Sequence, residues 1–175
     1  MSSGDLNKEQ MLERLIRVNH AGEYGAKRIY QGQLAVLKGK EDQALLKHMA
    51  DQEEVHLDYF SKEMQARRVR PSLLLPVWHA LGFALGVGTA LLGKNAAMIA
   101  TEAVEEVIDE HYQEQLKEPL MAQDLADNIE KFRQEEIEHK NIAKENMSEL
   151  NLGHKLLYKA IKFGCKVSIA LAKRI

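Results

Sequence analysis

The sequence predicts an all-α protein: a four-helix bundle with a long apolar crossover in its middle and an extra amphipathic helix at its C-terminus. Two observations carry the prediction. Prolines occur only at Pro71, Pro76 and Pro119, and no stretch alternates β-branched with polar residues, so the long intervals between them read as helix. Within those intervals apolar residues recur at steps of three and four, the pattern of a helix facing a bundle interior.

Taken in order, a first helix runs over about 8–38 and is stopped by Gly39, and a second over about 41–69 is stopped by Pro71. A third spans about 94–117. Pro119 suits the first turn of a fourth, which continues to about 150, and Gly153 separates it from a final helix over about 154–175. At 175 residues and 45% hydrophobic composition, one domain spanning 1–175 is expected.

The apolar seams are interrupted, and the interruptions are acidic or imidazole. On the second helix the seam reads Leu46, Met49, Glu53, His56, Phe60, and on the fourth Leu125, Ile129, Phe132, Glu136, His139, Ala143. Residues three apart share a helix face, so each Glu-x-x-His pair points where its apolar neighbours predict burial. Glu23 breaks the first helix's seam (Leu12, Ile16, Asn19, Glu23, Ala26, Tyr30) and Glu105 the third's (Met98, Thr101, Glu105, Ile108, Tyr112). Thirty residues separate Glu23 from Glu53 and thirty-one separate Glu105 from Glu136, so one helical-hairpin pattern is stated twice.

Glu-x-x-His pairs are common on solvated helices, and alone they say little. Convergence changes that. A buried unpaired carboxylate shifts its pKa and goes neutral, and four together repel; divalent cations resolve the conflict. A Glu from each of two helices with Glu-x-x-His from the other two is a known di-iron or di-manganese set. The candidate ligands are Glu23, Glu53, His56, Glu105, Glu136 and His139. Glu102, one turn before Glu105, competes with it, whereas Glu54, Glu106, Glu135 and Glu138 fall off the seams and read as solvated or supporting carboxylates. Spacing alone does not choose between iron and manganese.

From Ser72 to Leu92 no residue is charged. A stretch of that length could cross a bilayer, but crossing would put Glu53 and His56 on the opposite side from Glu105. A helical segment lying in the membrane interface is therefore expected, with Arg67, Arg68 and Arg70 before it and Lys94 after it. The final helix carries Lys155, Lys159, Lys162, Lys166, Lys173 and Arg174 with no acidic residue, interleaved with Leu156, Ile161, Phe163 and Val167, a composition suited to anionic lipid surfaces. A packed helix with a cationic outer face is the competing reading.

Other classes are disfavoured. A formal net charge of -2 offers no basic field for nucleic acid. With Cys165 as the one cysteine, neither an intramolecular disulfide nor a four-cysteine metal centre forms, and a reducing compartment fits. The N-terminus MSSGDLNKEQ lacks the features of a secretory signal or transit peptide, so the mature chain is expected to begin near residue 1.

The segments RVNHAGEYGA (17–26), DQEEVHLDYF (51–60), RVRPSLLLPVWHALGFALGVGTALLG (68–93), AVEEVIDEHY (103–112) and KFRQEEIEHK (131–140) resemble the demethoxyubiquinone hydroxylases of ubiquinone biosynthesis. The resemblance runs from about Arg14 to Arg174. It implies a ferritin-like fold and a di-iron monooxygenase that uses O2 to hydroxylate the ring of a polyprenylated methoxy-benzoquinol, with electrons from the quinol or from NADH. Carried over by position, the family's ligands fall on the same six residues, with Glu53 and Glu136 as bridges, which favours Glu105 over Glu102 and favours iron. His111 and Tyr112 match positions near the iron that could orient the head group. The absence of a transit peptide points to a peripheral protein on the cytoplasmic face of a bacterial inner membrane, with a mature mitochondrial form as the alternative. Whether the chain forms a homo-oligomer, or works with a lipid-binding accessory protein as mitochondrial relatives do, the residues leave open.

Overall fold

A computed structural model of the protein describes residues 7–119 and 121–174. The reading of the extreme N-terminus falls largely on residues 1–6, outside those described. The described residues form α1 (Lys8–Val36), α2 (Lys40–Arg67), α3 (Leu75–Leu91), α4 (Lys94–Gln115), α5 (Gln123–Glu145) and α6 (Leu152–Ala172), with no strand among them.

Local chemistry sets the ends. Asn7 and Gln10 form a reciprocal capping box that starts α1, with hydrogen bonds of 2.8 and 3.1 Å. Asn151 and His154 do the same for α6, so Gly153 lies inside that helix's first turn rather than before it. Pro119 also sits elsewhere than expected. The amide of Met121 bonds to the carbonyl of Glu118, so Pro119 occupies the second position of a turn, where its fixed φ is favourable, and α5 begins only at Gln123. Pro76 does occupy the first turn of its helix, α3.

Helices α1, α2, α4 and α5 form the bundle, and their seams are its interior. On α5 the buried residues are Leu125, Ile129, Phe132, Glu136, His139 and Ala143, the whole of the predicted seam and nothing else. Tyr59, Phe60, Phe132 and Tyr112 cluster below the polar centre, while Tyr30, Leu46, Met49, Met98 and Ala143 pack on its other side.

The apolar crossover is the helix α3, laid along α1, and α6 lies along α4. Glycine makes the first contact close. A Cβ on Gly86 would overlap the carbonyl oxygen of Ile29, and one on Gly32 would overlap that of Phe83. Backbone meets backbone, with no flexible side chain to give way. Gly86→Ala should therefore destabilise the fold by about 1–3 kcal/mol through overpacking. Gly88→Ala, which meets nothing within 4 Å, should stabilise it by about 0.5–1 kcal/mol through helix propensity. Urea melts of the two variants check the contrast; equal effects would contradict the close approach.

Outward, α3 presents Val77, Leu81, Ala84, Gly88 and Leu91 in a stripe without charge, and α6 presents Leu156, Phe163, Val167 and Leu171. No helix among the described residues is long and apolar enough to cross a membrane. The cationic face of α6 is only partly available. Lys162 pairs with Glu106 and Glu110 of α4 at 3.1 and 3.0 Å, and Lys166 with Glu110 at 2.9 Å, so these two lysines clamp α6 to α4 as the packed-helix reading expects.

Candidate metal centre

The six seam residues converge. Side-chain atoms of Glu23, Glu53, His56 and Glu136 lie within 4.8 Å of one another, as do those of Glu53, Glu105, Glu136 and His139, and all six residues are buried. Glu53 and Glu136 belong to both groups and stand between them. Each imidazole turns Nδ1 inward: His56 Nδ1 is 3.1 Å from Glu136 and 3.6 Å from Glu23, and His139 Nδ1 is 3.2 Å from Glu53 and 3.5 Å from Glu136.

The competing carboxylates are engaged elsewhere. Glu102 faces Lys144 at 3.5 Å, Glu138 faces His48 at 3.6 Å, Glu54 pairs with Lys27, and Glu106 accepts from Tyr158 and pairs with Lys162. None of these four appears in either converging group, and Glu105 does.

Around the centre the repeat continues into residues whose partnership the sequence does not reveal. Tyr112 of α4 donates its hydroxyl to Glu23 of α1, and Tyr30 of α1 donates to Glu105 of α4 at 2.5 Å. His56 Nε2 donates to Glu135 at 2.6 Å, and His139 Nε2 donates to Gln52 at 2.9 Å. Each histidine is thus steadied by the residue immediately before the inward Glu of the opposite helix. A signal for this exists in the chain: the repeat that equates Glu53 with Glu136 also equates Gln52 with Glu135, and Tyr30 follows Glu23 as Tyr112 follows Glu105.

Polar atoms aimed into the centre lack hydrogen-bond partners: Glu23 Oε2, both oxygens of Glu53, His56 Nδ1, Glu105 Oε2, both oxygens of Glu136 and His139 Nδ1. Orphaned buried acceptors are costly, and an oxygen-rich set with two imidazoles fits divalent iron or manganese. Without an ion, protons must substitute. Burial, reinforced by neighbouring carboxylates, pushes Glu53 and Glu105 well above the usual carboxylate range. Burial opposes protonation of His56, but the adjacent Glu136 and Glu23 outweigh it and push the imidazole up to about 12. Burial likewise disfavours a charged Glu136, yet both histidines hold it below its ordinary value.

A cavity of about 670 Å³ reaches this centre. Helices α1, α3, α4 and α6 line it with almost entirely apolar side chains, and of the six seam residues it touches Glu23 alone. Tyr112 and His111 border it. His111 is buried: Gln115 Nε2 donates to its Nε2 at 2.8 Å and to Asn19 Oδ1 at 2.7 Å, leaving the imidazole proton on Nδ1. Burial, aided by Lys173, lowers its pKa to about 4, so it is neutral at physiological pH.

A ferritin-like bundle of helices that turns four carboxylates and two imidazoles into its own interior defines the class of carboxylate–histidine bundle proteins. Comparison with known proteins makes that particular. Residues 10–172 match the family described as ubiquinone biosynthesis protein COQ7, and the chain belongs to that family. It is 48% identical over 180 residues to a Bos taurus protein named NADPH-dependent 3-demethoxyubiquinone 3-hydroxylase, mitochondrial, covering 100% of this chain and 82% of the relative. A Rhodospirillum rubrum protein named 3-demethoxyubiquinol 3-hydroxylase is 47% identical, over 98% of this chain and 82% of its own length. A Saccharomyces cerevisiae protein named 5-demethoxyubiquinone hydroxylase, mitochondrial, is 40% identical, over 94% of this chain and 78% of its own.

Proposed function

We propose that the chain is a di-iron monooxygenase that hydroxylates the ring of a polyprenylated demethoxyubiquinol with O2, and that Glu23, Glu53, His56, Glu105, Glu136 and His139 hold the two irons. The observation that carries this reading is the juxtaposition of the orphaned carboxylate and imidazole atoms with the apolar cavity that touches Glu23. Glu53 and Glu136 would bridge, Glu23 and His56 would cap the cavity-side ion, and Glu105 and His139 the other. Bound iron supplies the O2 activation and redox chemistry of hydroxylation.

The remaining residues do what a protein can do for such a reaction. Tyr112 fixes Glu23 by donating to it, and Tyr30 fixes Glu105. The apolar lining of the cavity suits an apolar molecule, with neutral His111 at its wall as a hydrogen-bonding group for a ring oxygen. The uncharged stripes of α3 and α6 flank that cavity and would rest on a bilayer surface, from which a polyprenyl tail need never leave. Lys155 and Lys159, exposed on α6, would meet anionic head groups.

The test is an O2-dependent assay of demethoxyubiquinol hydroxylation with iron quantified in the same preparation, run separately with NADPH, NADH and excess quinol as reductant. Two irons per chain and O2-dependent product are expected. Iron without hydroxylation would keep the metal centre and end the monooxygenase reading, and no iron would end both. Sedimentation with phosphatidylglycerol-containing vesicles checks the membrane part; Lys155→Glu with Lys159→Glu should weaken pelleting at low salt.

Two substitutions separate the roles of the cavity residues. Tyr112→Phe removes the donor to Glu23 and should weaken the cavity-side ion by about ten- to a hundredfold. His111→Ala should leave metal content intact and raise the KM for quinol by about tenfold, the worth of one hydrogen bond. Metal loss in His111→Ala would contradict the assignment.

A further inference from the structure

The two halves of the centre are built from one repeat, yet they differ at one pair of equivalent positions. Glu135 accepts from His56 Nε2 at 2.6 Å, whereas its counterpart Gln52 accepts from His139 Nε2 at 2.9 Å. Everything nearer the centre is matched: Glu23 with Glu105, Glu53 with Glu136, Tyr112 with Tyr30, and an inward Nδ1 on each imidazole. A carboxylate acceptor makes a shorter, stronger hydrogen bond than an amide and draws the Nε2 proton toward itself. Electron density on the imidazole rises in response, and Nδ1 becomes the better donor. The half that carries this carboxylate is also the half that the apolar cavity touches, through Glu23.

We infer that Glu135 makes the two metal positions inequivalent, holding the cavity-side ion, at Glu23 and His56, more firmly than its neighbour at Glu105 and His139. Glu135 acts through His56 and is a positioning residue, with no contact to substrate required. The inference rests on the reading of the six residues as ligands. Its consequence is an order of assembly: the ion that faces the cavity is loaded first, and the inner ion completes the centre.

The experiment titrates the full-length metal-free protein with Co(II), whose visible absorption reports each imidazole- and carboxylate-bound ion without O2 or activity. Wild type should bind two ions in two steps separated by about tenfold or more in affinity. Glu135→Gln keeps the size and the acceptor oxygen but removes the charge, and should weaken the tighter step about ten- to a hundredfold. Gln52→Glu should tighten the weaker step until the two merge, and the double exchange of Glu135→Gln with Gln52→Glu should restore two steps in reversed order. Glu105→Gln locates them by sparing the tighter step that Glu23→Gln removes. Two equal steps in wild type, or an unchanged tighter step in Glu135→Gln, would overturn the inference while leaving the metal centre standing. Absence of any Co(II) binding by wild type would overturn both. Far-UV circular dichroism of each variant separates a lost fold from a lost ion, and the double exchange supplies the reading should Glu135→Gln fail to fold.

Discussion

Glu53→Gln should abolish binding of both metal ions and lower hydroxylation by about a thousandfold or more, while leaving the metal-free fold at least as stable as wild type. The first half follows from position. Glu53 belongs to both converging groups, so on the proposed assignment its loss removes a donor from each ion. A supporting residue one bond further out already costs about ten- to a hundredfold in affinity, and a shared ligand costs that at two positions at once. The second half follows from electrostatics. In the metal-free protein Glu53 is buried among Glu136 and Glu23, and burial with carboxylate repulsion has already driven it toward its neutral form. A neutral amide of the same shape carries no such cost of protonation. Metal content by plasma emission, the activity assay and a thermal melt without metal test the three parts together. Retention of two irons by Glu53→Gln would sink the centre as drawn. Glu102→Gln is the matched control: Glu102 faces Lys144 outside the centre, so iron content and activity should stay near wild type.

Much of this arrangement is legible in the chain because burying a charge is expensive enough to be conspicuous. An acidic residue on a run such as Leu46, Met49, Phe60 violates the seam. Two seams that each carry Glu-x-x-His, and two more that each carry a Glu, can face one another only with cations or protons between them. The crossover is visible for a different reason, its uncharged run from Ser72 to Leu92, and the last helix through lysines interleaved with apolar residues. What stays hidden is chemistry that does not violate a pattern. Gln52 and Glu135 sit beside the seams at positions where polar residues are ordinary, and only the hydrogen bond across the bundle gives them a role. The Asn19–Gln115–His111 chain is likewise invisible until two helices meet, since each member alone is an ordinary polar residue. Pro119 is ambiguous in sequence because a proline suits the first turn of a helix and the second position of a turn equally well, and only the Glu118–Met121 bond decides between them. The lysines of α6 show the limit of composition: Lys162 and Lys166 have the charge to meet a membrane, yet they bond to Glu106 and Glu110.

Stripped of metal, the protein should lose stability as pH rises from 7 to 8.5, by about 2 kcal/mol from His56 alone, and adding Mn(II) should remove that loss. The sign comes from which state holds more protons. His56 is raised in the fold to about 12, so it remains protonated where an unfolded histidine, with its ordinary value of about 6.5, has released its proton. Its contribution is complete below the unfolded value and falls away as pH climbs toward the folded one, at about 1.4 kcal/mol per pH unit for one retained proton. His139, Glu53 and Glu105 are also raised, so they act in the same direction. Glu136, lowered by its two histidines, acts oppositely but only in acid, where stability is lost as pH falls below the usual carboxylate range. A bound cation replaces those protons. Both imidazoles must be neutral and the carboxylates ionised to receive it, so binding releases protons and strengthens as pH rises. At a free concentration a thousandfold above Kd the ion adds about 4 kcal/mol to stability, and the gap between loaded and metal-free protein therefore widens from pH 7 to 8.5. Urea melts of both forms at the two pH values measure it. A metal-free protein whose stability is flat or rises over that interval would show that protons do not hold the carboxylates together, and the electrostatic account of the centre would fail with it.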